Sequence, residues 1–317
     1  VDPYTFSFFR FIGGIAVGVS SVTAPIYISE ITTPKNRGTL GVLYQFSLVF
    51  GILIAYFSNY LLTGFDGSND WRWMLGIEAI PALLYLLMTL YIPDSPRWLV
   101  LFKNDDLTAQ KVLEVIYSNK IEADDVLKSI KTTDNTVSKE NNLFIPRFKK
   151  TILLAFFISF FNQLSGINFI LYYAPEILEM GGFATKESLF NSVIIGLTNI
   201  VFTFGGLLLI DRLGRKQLLV IGSIGYIIGL CGVSGAFYYE WNPQLIAFFI
   251  FAFIAAHGIG QGTVIWVFIS EIFPNRIRAL GQSFGSGVHW VFAALITLFG
   301  PSVIEIYNNN PWPIFAF

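Results

Sequence analysis

The sequence predicts an all-α polytopic membrane protein made of two parallel helical halves, and three observations predict it. Hydrophobic residues occupy 54% of the 317 positions and charged residues 13%, with a mean hydropathy of +0.62. A protein whose whole surface is solvated does not carry that balance. The stretch Ile28, Ser29, Glu30, Ile31 returns as Ile269, Ser270, Glu271, Ile272, and an arginine follows each glutamate at the same spacing, Arg37 and Arg278. Both copies close a long apolar run and open a short basic turn, so the repeated unit is a membrane segment together with the loop it enters. Lys and Arg also crowd into alternate loops: of the 20, only Arg72 and Lys186 fall on the opposite side and only Arg10 falls inside an apolar run.

Crossing about 30 Å of hydrocarbon takes roughly 20 residues. Apolar runs of that length lie near 6–29, 39–62, 72–92, 151–178, 189–210, 217–239, 244–270 and 279–303, and a ninth begins at Trp312. The two motif copies end the first and the seventh run, so the repeat period is six helices and both copies face the same side. The expected whole is a twelve-helix parent, with three helices before Val1 and most of one after Phe317. Residues 1–92 are then the end of the N-terminal half, 93–150 a connection and 151–317 the C-terminal half. The connection is basic and rich in helix formers around Ala109 to Ile116 and Ala123 to Ile130, which predicts short amphipathic helices beneath the membrane. The tract Thr132 to Asn142 reads as loop. The bias of Lys and Arg toward cytoplasmic loops places 93–150 on the cytoplasmic side.

Several function classes are disfavoured. The single cysteine, Cys231, lies in an apolar run and supports neither a disulfide nor a metal site. Net charge is −1, which gives no reason to expect a nucleic-acid partner. No His or Asp cluster with metal spacing and no serine with a paired base falls within the helices, so a polytopic enzyme is a weak reading. No cofactor is expected, and the one partner implied throughout is the lipid bilayer.

With these motifs in view, the chain resembles the sugar porter family of the major facilitator superfamily. The matching residues are Arg10 with Phe11, Ile12, Gly13 and Gly14; Glu30 to Arg37 and Gly38; Pro93, Asp94, Ser95, Pro96 and Arg97; Gln163, Leu164, Ser165, Gly166, Ile167 and Asn168; Asp211, Arg212, Leu213, Gly214, Arg215 and Lys216; and Glu271 to Arg278. The pattern is nearest that of bacterial proton-coupled sugar symporters. The resemblance implies a fragment running from the fourth helix to the start of the twelfth, multi-pass in the cell membrane.

A sugar is neutral, its hydroxyls donate and accept, and its C–H faces are apolar, so a site for it needs amides and aromatic rings without net charge. Gln45, Gln163, Asn168 and Asn199 lie deep in apolar runs and offer donors and acceptors together. Gln163 and Asn168 are spaced too widely for one helical face, and Gly166 between them permits a break of the kind around which transporter sites form. The resemblance places sugar contacts on these four residues and on Tyr172, on Trp266 as an aromatic platform with Gly262 giving it room, and on Trp290. The first-half counterpart of Trp266 is Pro25. Two positions depart from the family: Asn162 stands where many members have Gln, and His289 stands where an amide is usual. Asn162 enlarges the pocket on this reading, and His289 offers a group able to titrate near neutral pH. The plainer alternative is that these side chains only bind helices together. His257 has no functional reading beyond its depth.

Glu30 with Arg37, Glu271 with Arg278, and the cluster Asp211, Arg212 and Arg215 fall at the basic ends of helices, where opposite charges can lock the halves in one state and release them in another. For Lys35 and Arg276 a purely topological role is the better reading. Arg10, a charge within an apolar run, needs a partner. The resemblance pairs that arginine with an Asp on the first helix and adds a carboxylate at Glu78, so Arg10 and Glu78 are read as proton-coupling residues. The expected function is proton symport of a monosaccharide, pentose or hexose, by alternating access. A passive facilitator and a non-transporting sugar sensor on the same fold are the alternatives.

Overall fold

The computed structural model describes residues 2–33, 37–117, 119–137, 143–274 and 277–316. No strand occurs among them, and eight helical spans are long and apolar enough to cross a membrane. Helix α1 (Pro3–Glu30) starts on Asp2, whose carboxylate accepts the Thr5 N–H at 2.9 Å, with proline in the first turn where no donor is missed. Helix α2 (Arg37–Leu62) returns. The third run is interrupted: α3 (Asp70–Gly76) and α4 (Ala79–Thr89) meet at Ile77 and Glu78. Pro81 causes this, because it cannot donate to the Ile77 carbonyl four residues back and its ring crowds it.

The connection forms the short amphipathic helices that its composition predicts. Ser95 caps α5 (Pro96–Trp98), Asn104 turns the chain with φ 53°, and α6 (Asp106–Tyr117) packs against α7 (Lys120–Val137). Leu99, Val100, Ala109 and Ile130 close a small core between them. Asp105 accepts from both the hydroxyl and the N–H of Thr108, which holds its carboxyl below the usual carboxylate range. Helix α7 runs to Val137, into the tract expected as loop: extending an existing helix gains one bond for each residue fixed, whereas starting one does not. Residues 138–142 lie outside those described, as do Lys35 and Arg276.

The remaining helices are α8 (Lys149–Leu164), α9 (Ile167–Tyr172), α10 (Ala174–Met180), α11 (Thr185–Leu213), α12 (Arg215–Tyr238), α13 (Pro243–Ile259), α14 (Gln261–Ile272), α15 (Arg278–Ile306) and α16 (Trp312–Ala316). Two spans are broken. Gly166, with φ +76°, separates α8 from α9, as the spacing of Gln163 and Asn168 suggests. Gly260 separates α13 from α14 within a run expected to be continuous.

The main apolar core lies among α9 to α13, around Phe169, Ile177, Ile195, Tyr226, Ile250 and Phe253. Glycines bring α12 and α13 into close contact. A Cβ added at Gly229 would stand 2.8 Å from Phe253 Cβ and 3.0 Å from its Cα, and one at Gly222 would stand 2.8 Å from Gly260 Cα. Without a hydrophobic drive between helices in lipid, such close approach is a principal source of association. The first and last parts of the chain meet where α2 packs on α11. There Gly196 faces Leu53 and Tyr56, and the Tyr56 hydroxyl donates to the Leu171 carbonyl.

Gly229→Leu is expected to destabilise the protein by about 1–3 kcal/mol through overpacking against the Phe253 backbone. Gly205→Leu, at a glycine with open space beside it, should leave the thermal midpoint in detergent nearly unchanged. Equal midpoints for the two variants would rule out the close seam.

Candidate functional site

The break at Gly166 leaves α8 ending in a pair of adjacent amides, and both turn toward one imidazole. Gln163 Nε2 stands 2.9 Å from each ring nitrogen of His289 on α15, and Asn162 Nδ2 stands 3.5 Å from its Nδ1. All three residues are buried. The Trp266 ring from α14 lies 4.8 Å from the imidazole, centroid to centroid, inclined at 58°, and Trp290 lies 5.3 Å away, edge-on at 82°. Asn162 Oδ1 is buried and has no partner, and the same holds for Asn168 Nδ2 just past the break. A ligand group that bonds the open acceptor of Asn162 or the open donor of Asn168 would restore about 1–3 kcal/mol for each bond.

The predicted residues are brought together in part. Gln45 donates from α2 to the Gly262 carbonyl at 3.2 Å, reaching across to the segment that carries Trp266. Gly262 has no room for a side chain, since a Cβ there would stand 2.6 Å from His257 Nε2. Asn199 is buried and accepts from Thr203 one turn on, within its own helix, at 3.3 Å. Tyr172 is 55% exposed and lines an open cleft of about 490 Å³ with Tyr173, Ala294, Thr297 and Leu298.

Charged residues keep away from this centre. Arg10 and Glu78 form an ion pair, Nη1 to Oε2, at 3.6 Å, between the first span and the proline-broken third. At the basic end Arg215 grips Glu271 with a two-pronged contact, 2.7 and 3.1 Å, and touches Asp211 at 3.3 Å. Glu271 thus pairs with an arginine of another helix instead of the Arg278 that follows it in sequence. The chain turns sharply after Ile272, where Phe273 packs under Gly281, and Arg278 is carried onto α15 with its Nε buried and unpartnered. Glu30 accepts from the Ser95 hydroxyl at 2.5 Å. The Arg37 side chain lies outside the described residues, so the Glu30 and Arg37 pair does too.

Sequence reasoning missed three contacts. The Tyr226 hydroxyl and His257 Nδ1 are 2.6 Å apart behind the site, Gln261 Nε2 donates to the Ser223 hydroxyl at 2.8 Å, and Thr263 donates to the Gly258 carbonyl at 2.6 Å. The last two flank the Gly260 break. Gly258, Gly260 and Gly262 alternate there, and with a glutamine and a threonine close behind, both able to bond freed backbone, they were a usable hint of it.

Fold and site together define a helical membrane protein of major facilitator superfamily architecture. A family model described as "Sugar (and other) transporter" matches residues 2–317, and the chain belongs to that family. It is 33% identical to the D-xylose-proton symporter of Escherichia coli (strain K12) over 98% of this chain and 63% of that protein. It is 36% identical to the galactose-proton symporter of the same organism over 97% of this chain and 67% of the other. A solved structure of the E. coli xylose transporter, in a partially occluded inward open conformation, is similar with a TM-score of 0.82 at 30% identity, covering 98% of this chain and 67% of that one. The chain therefore spans about two thirds of the length of these relatives.

The Arg215 and Glu271 pair is partly exposed, with side-chain exposures of 31% and 47%, so a modest energy is expected. A double-mutant cycle of Arg215→Ala and Glu271→Gln, read by thermal unfolding in detergent, should give a coupling of about 0.2–1 kcal/mol. Strict additivity would show that the pair contributes nothing to this fold.

Proposed function

We propose that the intact protein carries a monosaccharide, a pentose or hexose, across the cell membrane by alternating access, coupled to protons. One observation carries the sugar reading: the charge-free cluster of Asn162, Gln163 and His289 beside Trp266 and Trp290, at a broken helix. Its two amides and two indoles match the needs of a neutral polyol with apolar faces. The relatives described above, symporters of xylose and of galactose with protons, support the same reading.

Symport rests on the pairing of Arg10 with Glu78. A carboxylate held by a cation in the apolar region changes its hold when it takes up a proton, and the helix break at Pro81 lies beside it. In this account the Arg215, Glu271 and Asp211 contacts, with Glu30, Arg37 and Arg278, govern the exchange between conformations. The basic segment 93–150 lies on the cytoplasmic side.

Labelled xylose and glucose should be taken up by the intact protein in proteoliposomes, with accumulation above equilibrium only under an inward proton gradient. Glu78→Gln is expected to abolish accumulation while sugar still equilibrates. Equilibration of the unmutated protein regardless of the gradient makes it a facilitator, and binding without any flux makes it a sensor.

Gln163→Ala and Trp266→Ala should each weaken sugar binding at least tenfold while membrane insertion is unchanged. Retained affinity in both sinks the site. Glu271→Gln should leave binding within about twofold and alter the rate of counterflow exchange.

A further inference from the structure

We infer that Gln261 and Ser223, which lie outside the cluster of amides and indoles, form the seat that turns Trp266 toward His289 and so set sugar affinity from behind the site. The inference rests on the reading of that cluster as the sugar site. It starts from the break between α13 and α14. The chain leaves helical geometry at Gly260, with φ −96° and ψ −101°, so α14 does not inherit its rotation about its own axis from α13. Contacts have to set that rotation, and the first residue of α14 supplies one. Gln261 Nε2 stands 2.8 Å from the Ser223 hydroxyl and 3.4 Å from the Leu219 carbonyl, so both of its hydrogens have acceptors on α12. The Ser223 hydroxyl donates to the same carbonyl at 2.8 Å, which leaves its lone pairs for the amide.

Packing holds the amide in place. A Cβ at Gly222 would collide with Gln261 Oε1 and stand 2.8 Å from Gly260 Cα. Gln261 Oε1 is buried without a partner, a cost that a leucine of similar volume would avoid. Five residues further on stands Trp266. At about 100° per residue, roughly 140° separates the two side chains around the helix. With Gln261 held on α12, the indole is therefore carried to the far side of α14, where its ring lies 4.8 Å from that of His289 on α15.

Thr263 also anchors the start of α14, but its acceptors are the Gly258 carbonyl of α13 at 2.6 Å and the Thr203 carbonyl of α11 at 3.3 Å. Arg215 and Glu271 tie the opposite end of α14 to α12 at a partly exposed position. Among the described residues, the polar tie between α12 and the first turn of α14 is the one Gln261 makes. Gln261 and Ser223 are accordingly positioning residues that act through Trp266.

The test uses purified full-length protein labelled with fluorotryptophan. Fluorine NMR reports the placement of Trp266, whose resonance is the one lost in Trp266→Phe, and titration calorimetry with xylose and with glucose reports binding. Gln261→Leu and Ser223→Ala are each expected to shift the Trp266 resonance before sugar is added and to weaken binding about three- to tenfold. Ser223→Thr, which keeps the hydroxyl, should retain both the resonance and the affinity.

The inference is overturned if either variant folds and leaves the Trp266 resonance where it was, or moves it with affinity unchanged. A lowered thermal midpoint with neither change would mean that the pair only binds helices together. Ser223→Ala removes one oxygen from an exposed position on α12, so it decides the matter even if Gln261→Leu fails to fold. Absence of binding of either sugar by the unmutated protein is a different outcome, and it overturns the sugar reading itself.

Discussion

Hydrocarbon offers backbone groups no water, so a membrane helix can be interrupted only where something else takes up the bonds it gives away. The rest of this structure depends on how that is done at Gly166 and Gly260. At the first break the Ser165 hydroxyl donates to the Asn162 carbonyl at 2.5 Å, and the Gly166 N–H closes a tight turn on Gln163 at 2.9 Å. At the second, Thr263 takes the Gly258 carbonyl, while Gln261 bonds Ser223 on the neighbouring helix. Each repair uses a side chain from the break itself. The end of α8 and the middle of α14 both reach His289, through Gln163 and Trp266.

The same constraint explains where charge sits. At the centre the polar groups are amides, an imidazole and indoles, whose burial costs far less than that of an ion. The charges lie at helix ends and in the connections, apart from Arg10 and Glu78, which neutralise one another across two spans. An ion pair in such surroundings is close to balance, because desolvation offsets much of the attraction. Small changes of protonation or geometry can therefore shift it, which suits a coupling element. The Arg215 grip on Glu271 differs, because it ties the start of α12 to the end of α14 at the basic end.

Much of the fold was legible because a bilayer imposes a length and a composition on every crossing. The eight runs drawn from the sequence coincide with the eight spans to within a few residues, and the repeated Ile-Ser-Glu-Ile motif placed two helix ends at once. The Gly166 break was legible because Gln163 and Asn168 made no sense on one helical face. Gly260 was not read as a break, although Gly258 and Gly262 stand two residues to either side of it; what decides is contact with α12, where Gly260 lies against Gly222 and a side chain has no room. Likewise the partner of Glu271 was sought seven residues on at Arg278, whereas the arginine that reaches it comes from the far end of another span. Pairings across helices are tertiary facts, and spacing along one chain carries little of them.

The candidate site follows the same division. Side-chain type and depth named its amides Gln163 and Asn168, while the resemblance to the sugar porter family supplied Trp266 and Trp290 and marked Asn162 and His289 as departures. What the sequence could not carry is direction. An amide is an acceptor at one end and a donor at the other, and the residue name is silent about which end meets the ligand. The neighbour decides it. Asn162, one methylene shorter than glutamine, also leaves space for the ring between α8 and Trp266. The two departures from the family pattern, Asn162 and His289, are in contact.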